Sequence, residues 1–438
     1  MGLSLTGKVR FITLGCKVNQ YETQAMREAM RGAGAASAER GEKEGVDFVV
    51  INTCTVTGDA DRDNRYWIRR ARREHPGARI VVTGCMVTRD RALLESLPEV
   101  DLVLSNQQKS ELVSRLLESC AAPQTQDMRR EEKHRYAPLS ISETEGNGRA
   151  FVKIQDGCNH ACSFCKVVLA RGRSRSRALA DIVAEVTRLR DSGYREIVFA
   201  GIQLGAYGLD FTDHSAGLEE VLEACSKIEG IERLRLSSIE PTDVTPSLIE
   251  ALRGIPKCVP HLHIPLQSGD DEILEKMNRR YGRAFYIDLA GRLKNSLPDF
   301  SLTLDVMAGF PGEEETHFQN TLDLLETVKP LKCHVFPYSR REGTRAARFR
   351  DVEDKILRER VDRLIAAGDR LGREVRLRYE GARMPVLVEE VRKDGGLLQG
   401  LTPNYLRVCF EGPAAQVGGI ADVKLLTLQG DLFLGRTV

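Results

Sequence analysis

Within eight consecutive residues, Cys158-Asn159-His160-Ala161-Cys162-Ser163-Phe164-Cys165, three thiols are spaced C-x3-C-x2-C. Three thiolates on one short loop can hold three irons of a [4Fe–4S] cluster and leave the fourth iron open to an outside ligand. A zinc knuckle and three unrelated buried thiols are the alternatives. Structural zinc takes four protein ligands, and His160 is flanked closely by Cys158 and Cys162, which hinders it as the fourth. A second set is dispersed. Cys16, Cys54 and Cys85 close the stretches ITLGC, INTC and VVTGC, each one or two residues past a short apolar run. Loops at the carboxyl ends of adjacent parallel strands converge, so these three could form a second three-thiol site with an open iron. Three small buried residues are the bland reading. The other cysteines (Cys120, Cys225, Cys258, Cys333 and Cys409) read as structural.

The hydrophobic pattern supplies the frame for both sets. Runs at 9–14, 48–52 and 79–83 read as strands buried on both faces, and helical stretches at 21–31 and 60–73 alternate with them. Residues 1–120 are thus expected to form a doubly wound α/β domain. The polar stretch 121–149 reads as a linker. Strands are expected at 151–154, 196–200, 233–238, 261–266, 302–308 and 332–337. Helices fall between them at 178–192, 216–227, 245–253, 270–294 and 314–328, and a charged helix at 351–379 ends the domain. Six βα units over 150–379 suggest a partial (βα)6 barrel. The cysteine loop directly follows its first strand, on the carboxyl face where barrel active sites form. Short strands broken by Gly and Pro over 380–438 read as a small β-barrel.

Lys and Arg number 64 against 63 Asp and Glu, a net charge of +1. That excludes a generally basic nucleic-acid binder and an acidic disordered tail, so nucleic-acid contact must come from local patches. No apolar run approaches the roughly 20 residues of a membrane helix. The start lacks a secretory apolar core, and 11 cysteines, an odd number, argue against a disulfide framework. A cytoplasmic protein with no membrane partner is expected. Two basic patches stand out. Arg171, Arg173, Arg175 and Arg177 follow the cysteine loop, and 62–73 holds six Arg against one Asp. Arg suits phosphate contact. The first patch is expected to touch RNA or cofactor, and the second reads first as a solvated helix face. The small barrel over 379–438 carries six basic and seven acidic residues, which gives no compositional support for RNA binding.

C-x3-C-x2-C with an aromatic before the last Cys resembles the radical S-adenosylmethionine enzymes. In that family the open iron is chelated by S-adenosylmethionine, whose reductive cleavage gives a 5′-deoxyadenosyl radical. Thr13-Leu14-Gly15-Cys16-Lys17-Val18-Asn19-Gln20-Tyr21-Glu22-Thr23 and Asn52-Thr53-Cys54-Thr55-Val56-Thr57 resemble the N-terminal domain of radical methylthiotransferases. So does the order of three domains, the last of TRAM type. The first-cysteine motif, with HLHIPLQSG at 261–269 and HVFPYSRREGT at 334–344, is similar to the MtaB branch. That branch adds a methylthio group to C2 of N6-threonylcarbamoyladenosine at tRNA position 37, next to the anticodon. The resemblance implies two [4Fe–4S] clusters, one on Cys158, Cys162 and Cys165 and one on Cys16, Cys54 and Cys85, the latter acting in sulfur delivery. It also implies S-adenosyl-L-methionine, a tRNA substrate, and an electron donor such as flavodoxin or ferredoxin.

Further cofactor contacts are expected from strand ends on the same face: Gly201 and Gln203, Ser237 and Glu240, and Gln267, with the ring of Phe164 beside the cluster loop. Arg171, Arg173 and Arg175 are expected to contact RNA, and the C-terminal barrel to hold the tRNA over the mouth. One departure is Lys166-Val167-Val168-Leu169, where relatives have two aliphatics, a Pro and an aromatic before Ala-Arg-Gly. The rival readings are a methylthiotransferase acting on a ribosomal aspartate and a non-catalytic iron–sulfur RNA-binding protein. The first-cysteine motif argues against the former.

Overall fold

The computed structural model describes residues 5–39, 41–42, 44–55, 58–121, 136–144, 148–212, 216–393 and 395–438. In chain order the strands are β1 (Gly7–Thr13), β2 (Ala35–Ser37), β3 (Phe48–Thr53), β4 (Arg79–Gly84), β5 (Leu102–Val103), β6 (Arg149–Lys153), β7 (Gln155–Asp156), β8 (Arg175–Ser176) and β9 (Glu196–Ala200). They continue with β10 (Arg233–Leu236), β11 (His261–His263), β12 (Ser301–Ala308), β13 (Lys332–Pro337), β14 (Arg383–Val391), β15 (Leu398–Leu401), β16 (Arg407–Phe410), β17 (Ile420–Gln429) and β18 (Leu432–Thr437). The helices are α1 (Lys17–Gly32), α2 (Gly58–Glu74), α3 (Cys85–Ser96), α4 (Leu112–Ala121), α5 (Val167–Arg171) and α6 (Leu179–Asp191). They continue with α7 (Leu218–Ser226), α8 (Pro246–Gly254), α9 (Asp271–Lys276), α10 (Arg283–Ser296), α11 (Glu315–Val328) and α12 (Asp354–Leu377). None among the described residues is long and apolar enough to cross a membrane.

The chain forms two compact units. The first comprises Met1–Glu143, Gln155–His160 and Cys165–Arg177. Its sheet runs β2-β1-β3-β4-β5, with every pair parallel. All six residues of β3 are buried, which is why its sequence shows no polar alternation. Val49, Ile51, Ile80 and Val82 pack on Ile68 and Ala71 of α2 and on Met86 of α3. Their neighbours Val50 and Val81 point the other way, onto Met26 and Met30 of α1 and Leu112 and Leu116 of α4. Helices therefore cover both faces, the doubly wound arrangement. Part of the expected linker is docked: Leu139 and Ile141 are buried, and the Tyr21 hydroxyl donates to the Leu139 carbonyl at 2.9 Å. Glu28 accepts from the Ser142 amide and hydroxyl, each at 2.8 Å. Residues 122–135 and 145–147 of that stretch lie outside the described residues.

The second unit comprises Thr144–Ile154, Ala161–Phe164 and Ala178–Val438. Two parallel three-stranded sheets, β10-β9-β6 and β11-β12-β13, are joined by parallel bridges Leu234–Cys258 and Ser238–His263. Six strands thus lie side by side in chain order as a partial (βα)6 barrel. The helix expected at 270–294 is two helices. Asn278 adopts φ +59° and Gly282 caps α10, so the segment between them leaves the helical path.

The last five strands close a barrel in the order β14-β15-β16-β18-β17, filled by Val386, Val388, Val408, Phe410, Val423, Leu425 and Phe433. This barrel packs on the amino ends of the six strands. Arg149 of β6 meets Glu389 at 2.6 Å. Arg233 of β10 donates to the Leu401 and Pro385 carbonyls, and Arg235 to that of Pro403. His261 of β11 stacks on Tyr405 at 4.3 Å, and Ser301 of β12 donates to the Asn404 carbonyl at 2.6 Å. The expectation of a barrel at the mouth is therefore corrected: it closes the opposite end of the strands from the one where β6 leads into the cysteine loop.

Candidate iron–sulfur and cofactor sites

Cys16 immediately precedes α1, Cys54 follows β3, and Cys85 opens α3. Because β1, β3 and β4 are neighbours, the three thiols stand at the carboxyl ends of adjacent strands. Two glycines permit this. At Gly15 (φ +95°) a Cβ would lie 2.5 Å from the Cys54 sulfur, and at Gly84 (φ +103°) one would lie 2.3 Å from the Thr53 carbonyl. Asparagines then fasten the loops. Asn19 donates to the carbonyls of Leu14 (2.7 Å) and Thr53 (3.0 Å), and Asn52 donates to that of Asn19. Asn64 of α2 accepts from the Cys54 amide at 3.2 Å and donates to its carbonyl. Asn19 of the KVNQYET motif thus ties together the peptides that carry Cys16 and Cys54.

A buried charge network borders this set. Glu22 pairs with Lys109 and, at 2.8 Å, with Arg171, which also reaches Asp156 at 3.0 Å and Asn19 at 2.6 Å. Burial by itself lowers the pKa of the Arg171 guanidinium, but electrostatic interaction with Cys85, Glu22 and Asp156 outweighs it and holds Arg171 well above its ordinary value. Three soft thiol donors, two of them at helix amino ends and with fixed cations nearby, fit an anionic thiolate cluster. The expectation that Arg171 and Arg175 contact RNA is corrected. Arg171 is 2% exposed and fully occupied, and Arg175 is buried and donates to the Arg171 carbonyl. Arg177 is also buried, bonded to the Tyr21 hydroxyl. Arg173 alone of the four is exposed.

In the 158–165 loop every thiol accepts a hydrogen bond. The His160 amide donates to Cys158 at 3.3 Å and the Val167 amide to Cys165 at 3.4 Å. Cys162 accepts from the Arg279 guanidinium at 3.2 Å. Arg279 is pinned by Glu240 and stacks over Tyr281 at 5.1 Å. Burial opposes its charge, yet Tyr281, Glu240 and Cys162 hold its pKa above the ordinary value. These donors fix the positions of the sulfur atoms that would ligate iron. Among the described residues no three Cys, His, Asp or Glu side chains stand close enough to hold one metal ion.

Gly201, Gln203 and Ser237 follow the carboxyl ends of β9 and β10. Gln267 is held at φ +64° between the Asp305 carbonyl and the Met307 amide. Its buried Oε1 has no hydrogen-bond donor among the described residues, as an acceptor awaiting a ligand's N–H or O–H would. Glu240 serves Arg279. Phe164 lies edge-on to Phe310 at 6.4 Å, inside an aromatic cluster with Tyr338 and Phe349. Lys166 is buried at the start of α5. Burial pushes the thiols of Cys225, Cys258 and Cys333 up to about 12; Cys225, Cys258 and Cys409 lie in the core and Cys333 is half-buried. The Cys120 side chain lies outside the described residues.

Arg279 is hidden in the sequence because the pattern over 270–294 reads as one continuous helix. The signal was Asn278-Arg279-Arg280-Tyr281-Gly282, a helix-breaking pair enclosing cations.

Residues 8–105 match the uncharacterized protein family UPF0004, 152–325 the Radical SAM superfamily and 377–430 the TRAM domain. A methyltransferase from Kitasatospora setae, TsrM, a radical S-adenosylmethionine protein solved with cobalamin and a [4Fe-4S] cluster, superposes with TM-score 0.57 at 16% identity, covering 78% of this chain and 77% of that one. Fold and cysteine loop are those of the radical S-adenosylmethionine class. The threonylcarbamoyladenosine tRNA methylthiotransferase MtaB of Bacillus subtilis is 38% identical over 95% of this chain and 93% of its own, and that of Chlamydia pneumoniae 35% over 99% and 98%. A tRNA-2-methylthio-N(6)-dimethylallyladenosine synthase of Clostridium botulinum is 32% identical over 100% and 98%. The chain belongs to the MtaB family of methylthiotransferases.

Proposed function

We propose that this chain transfers a methylthio group to C2 of N6-threonylcarbamoyladenosine at position 37 of tRNA. The observation that carries this reading is near-full-length likeness to MtaB enzymes in a chain that retains both three-cysteine sets. Cys158, Cys162 and Cys165 would hold one [4Fe–4S] cluster, and Cys16, Cys54 and Cys85 the other. Held there, the first cluster would supply the reducing electron for S-adenosylmethionine cleavage and so the radical chemistry needed at the adenine C2–H.

The protein's own groups set the stage. The His160 and Val167 amides and Arg279 hydrogen-bond to the three sulfurs and position them for a cluster. Gly201, Gln203, Ser237 and Gln267 orient the cofactor at the strand ends, and Glu240 acts through Arg279. Arg173 is the exposed candidate for phosphate contact near the loop. The target base must be splayed out of the anticodon loop to reach such a site. An electron donor such as flavodoxin or ferredoxin would reduce the protein, and the cytoplasm is where tRNA and donor meet it.

The test is nucleoside mass spectrometry of tRNA after incubation with the reconstituted protein, S-adenosylmethionine and dithionite. A mass gain of one methylthio group on N6-threonylcarbamoyladenosine supports the reading. A gain only on dimethylallyladenosine, or a modified ribosomal protein, reassigns the substrate, and the absence of 5′-deoxyadenosine removes the catalytic reading.

A further inference from the structure

Helix α2 presents a row of cations. Arg62, Arg65, Arg69 and Arg73 recur at helical spacing and are exposed, and with Arg70 and Tyr66 they line a cleft of about 320 Å³. The opposite side of the helix carries Ile68 and Ala71 into the core. Arg72 is spent locally on the Pro76 and Ala78 carbonyls and Asp101. Arg65, Arg69 and Arg73 have no ion-pair partner among the described residues, and Arg70 pairs with Glu74 at 2.9 Å while lying 4.9 Å over Trp67. Tyr66 is 52% exposed in the middle of this row.

We infer that this face of α2 is a docking surface for the tRNA backbone, an inference that rests on the tRNA-modifying function proposed above. Like charges such as Arg65, Arg69 and Arg73 along one helix repel and lose stability unless a polyanion neutralises them. The cations are all Arg, whose planar fork suits phosphate oxygens and whose face stacks on bases. An exposed tyrosine among them is a stacking platform for an unpaired base. An acidic protein would match the charge but has no comparable use for the ring. The remaining candidates are weaker. Three of the four arginines after the cysteine loop are buried, and the C-terminal barrel carries a net charge of −1 over 379–438, from six basic and seven acidic residues.

The test compares the full chain with a variant carrying Arg65→Glu, Arg69→Glu and Arg73→Glu. Thermal midpoint and iron content establish that it is folded. Affinity for unmodified tRNA, measured over a salt series, is expected to fall at least about tenfold, with the log–log salt slope reduced by about two to three. Arg69→Gln alone lowers the slope by about one, which keeps the test open if the triple variant misfolds. Tyr66→Ala weakens binding with the slope unchanged. Unaltered affinity and slope in a folded variant, with the parent chain binding tRNA, overturn the docking surface. So does a loss confined to flavodoxin-driven S-adenosylmethionine cleavage, which assigns the face to an acidic reductant. A parent chain that binds no tRNA strikes the proposed function itself, and this surface with it.

Discussion

Cys158, Cys162 and Cys165 sit within eight consecutive residues, whereas Cys16, Cys54 and Cys85 are spread along the first domain and reach neighbouring strand ends only because β1, β3 and β4 are adjacent. The two sets also differ in what holds them. The loop thiols take two local amides and one long-range guanidinium. The strand-end thiols depend on glycines that admit close approach and on asparagines that tie one loop to the next. A site assembled by tertiary structure should therefore fail by loosening, and a site encoded in one loop by loss of a ligand.

The largest effect tests independence. Replacing Cys158, Cys162 and Cys165 with Ala should abolish 5′-deoxyadenosine formation and remove about half the bound iron. Replacing Cys16, Cys54 and Cys85 should remove a similar share and end methylthio transfer while cleavage stays measurable. Full iron in the second variant would mean that the strand-end set holds no cluster.

Arg279→Leu comes next. It removes the cation beside Cys162, and a buried positive charge favours the more negative, reduced cluster. The midpoint potential should fall and cleavage slow by about tenfold, with Arg279→Lys restoring part of both. An unchanged potential on redox titration would show that Arg279 only braces the loop.

Asn64→Ala should be milder. Losing the two bonds to the Cys54 backbone costs about 1–3 kcal/mol. The thermal midpoint falls and iron is lost from the strand-end set, while cleavage by the loop set persists. Equal iron loss from both sets would erase the distinction drawn above.

The smallest effect is a control. With thiols pushed up to about 12, Cys225, Cys258 and Cys333 should be roughly a thousandth ionised at pH 9. Peptide mapping after alkylation of the native apoprotein should find them unmodified and Cys16, which is exposed, labelled first.

What could be read beforehand follows the range of the interactions. All six core strands and the doubly wound first domain were visible because apolar runs and turn residues are local signals. The loop cysteines were visible for the same reason. The burial of Arg171 was not, since Glu22 and Lys109, its network partners, lie far off in sequence and nothing near Arg171 announces them. The break between α9 and α10 leaves little trace in the sequence because Asn278 adopts a left-handed conformation inside an otherwise helical pattern. Composition of the C-terminal barrel said nothing about which end of the six strands it would cover.

That placement bears on how the chain matures. Glu196, Arg233 and Arg235 form a buried ionic group whose remaining donors are satisfied by carbonyls at Pro385, Leu401 and Pro403. During synthesis those acceptors emerge about 150 residues after the arginines. Until they arrive, these guanidinium donors face water, and the base of the sheet lacks the barrel packing that buries them. The six strands therefore reach full stability only once the ribosome has delivered the last domain. A chain that ends before β14 is therefore expected to unfold at a lower temperature than the full chain, which a thermal scan of the two would read.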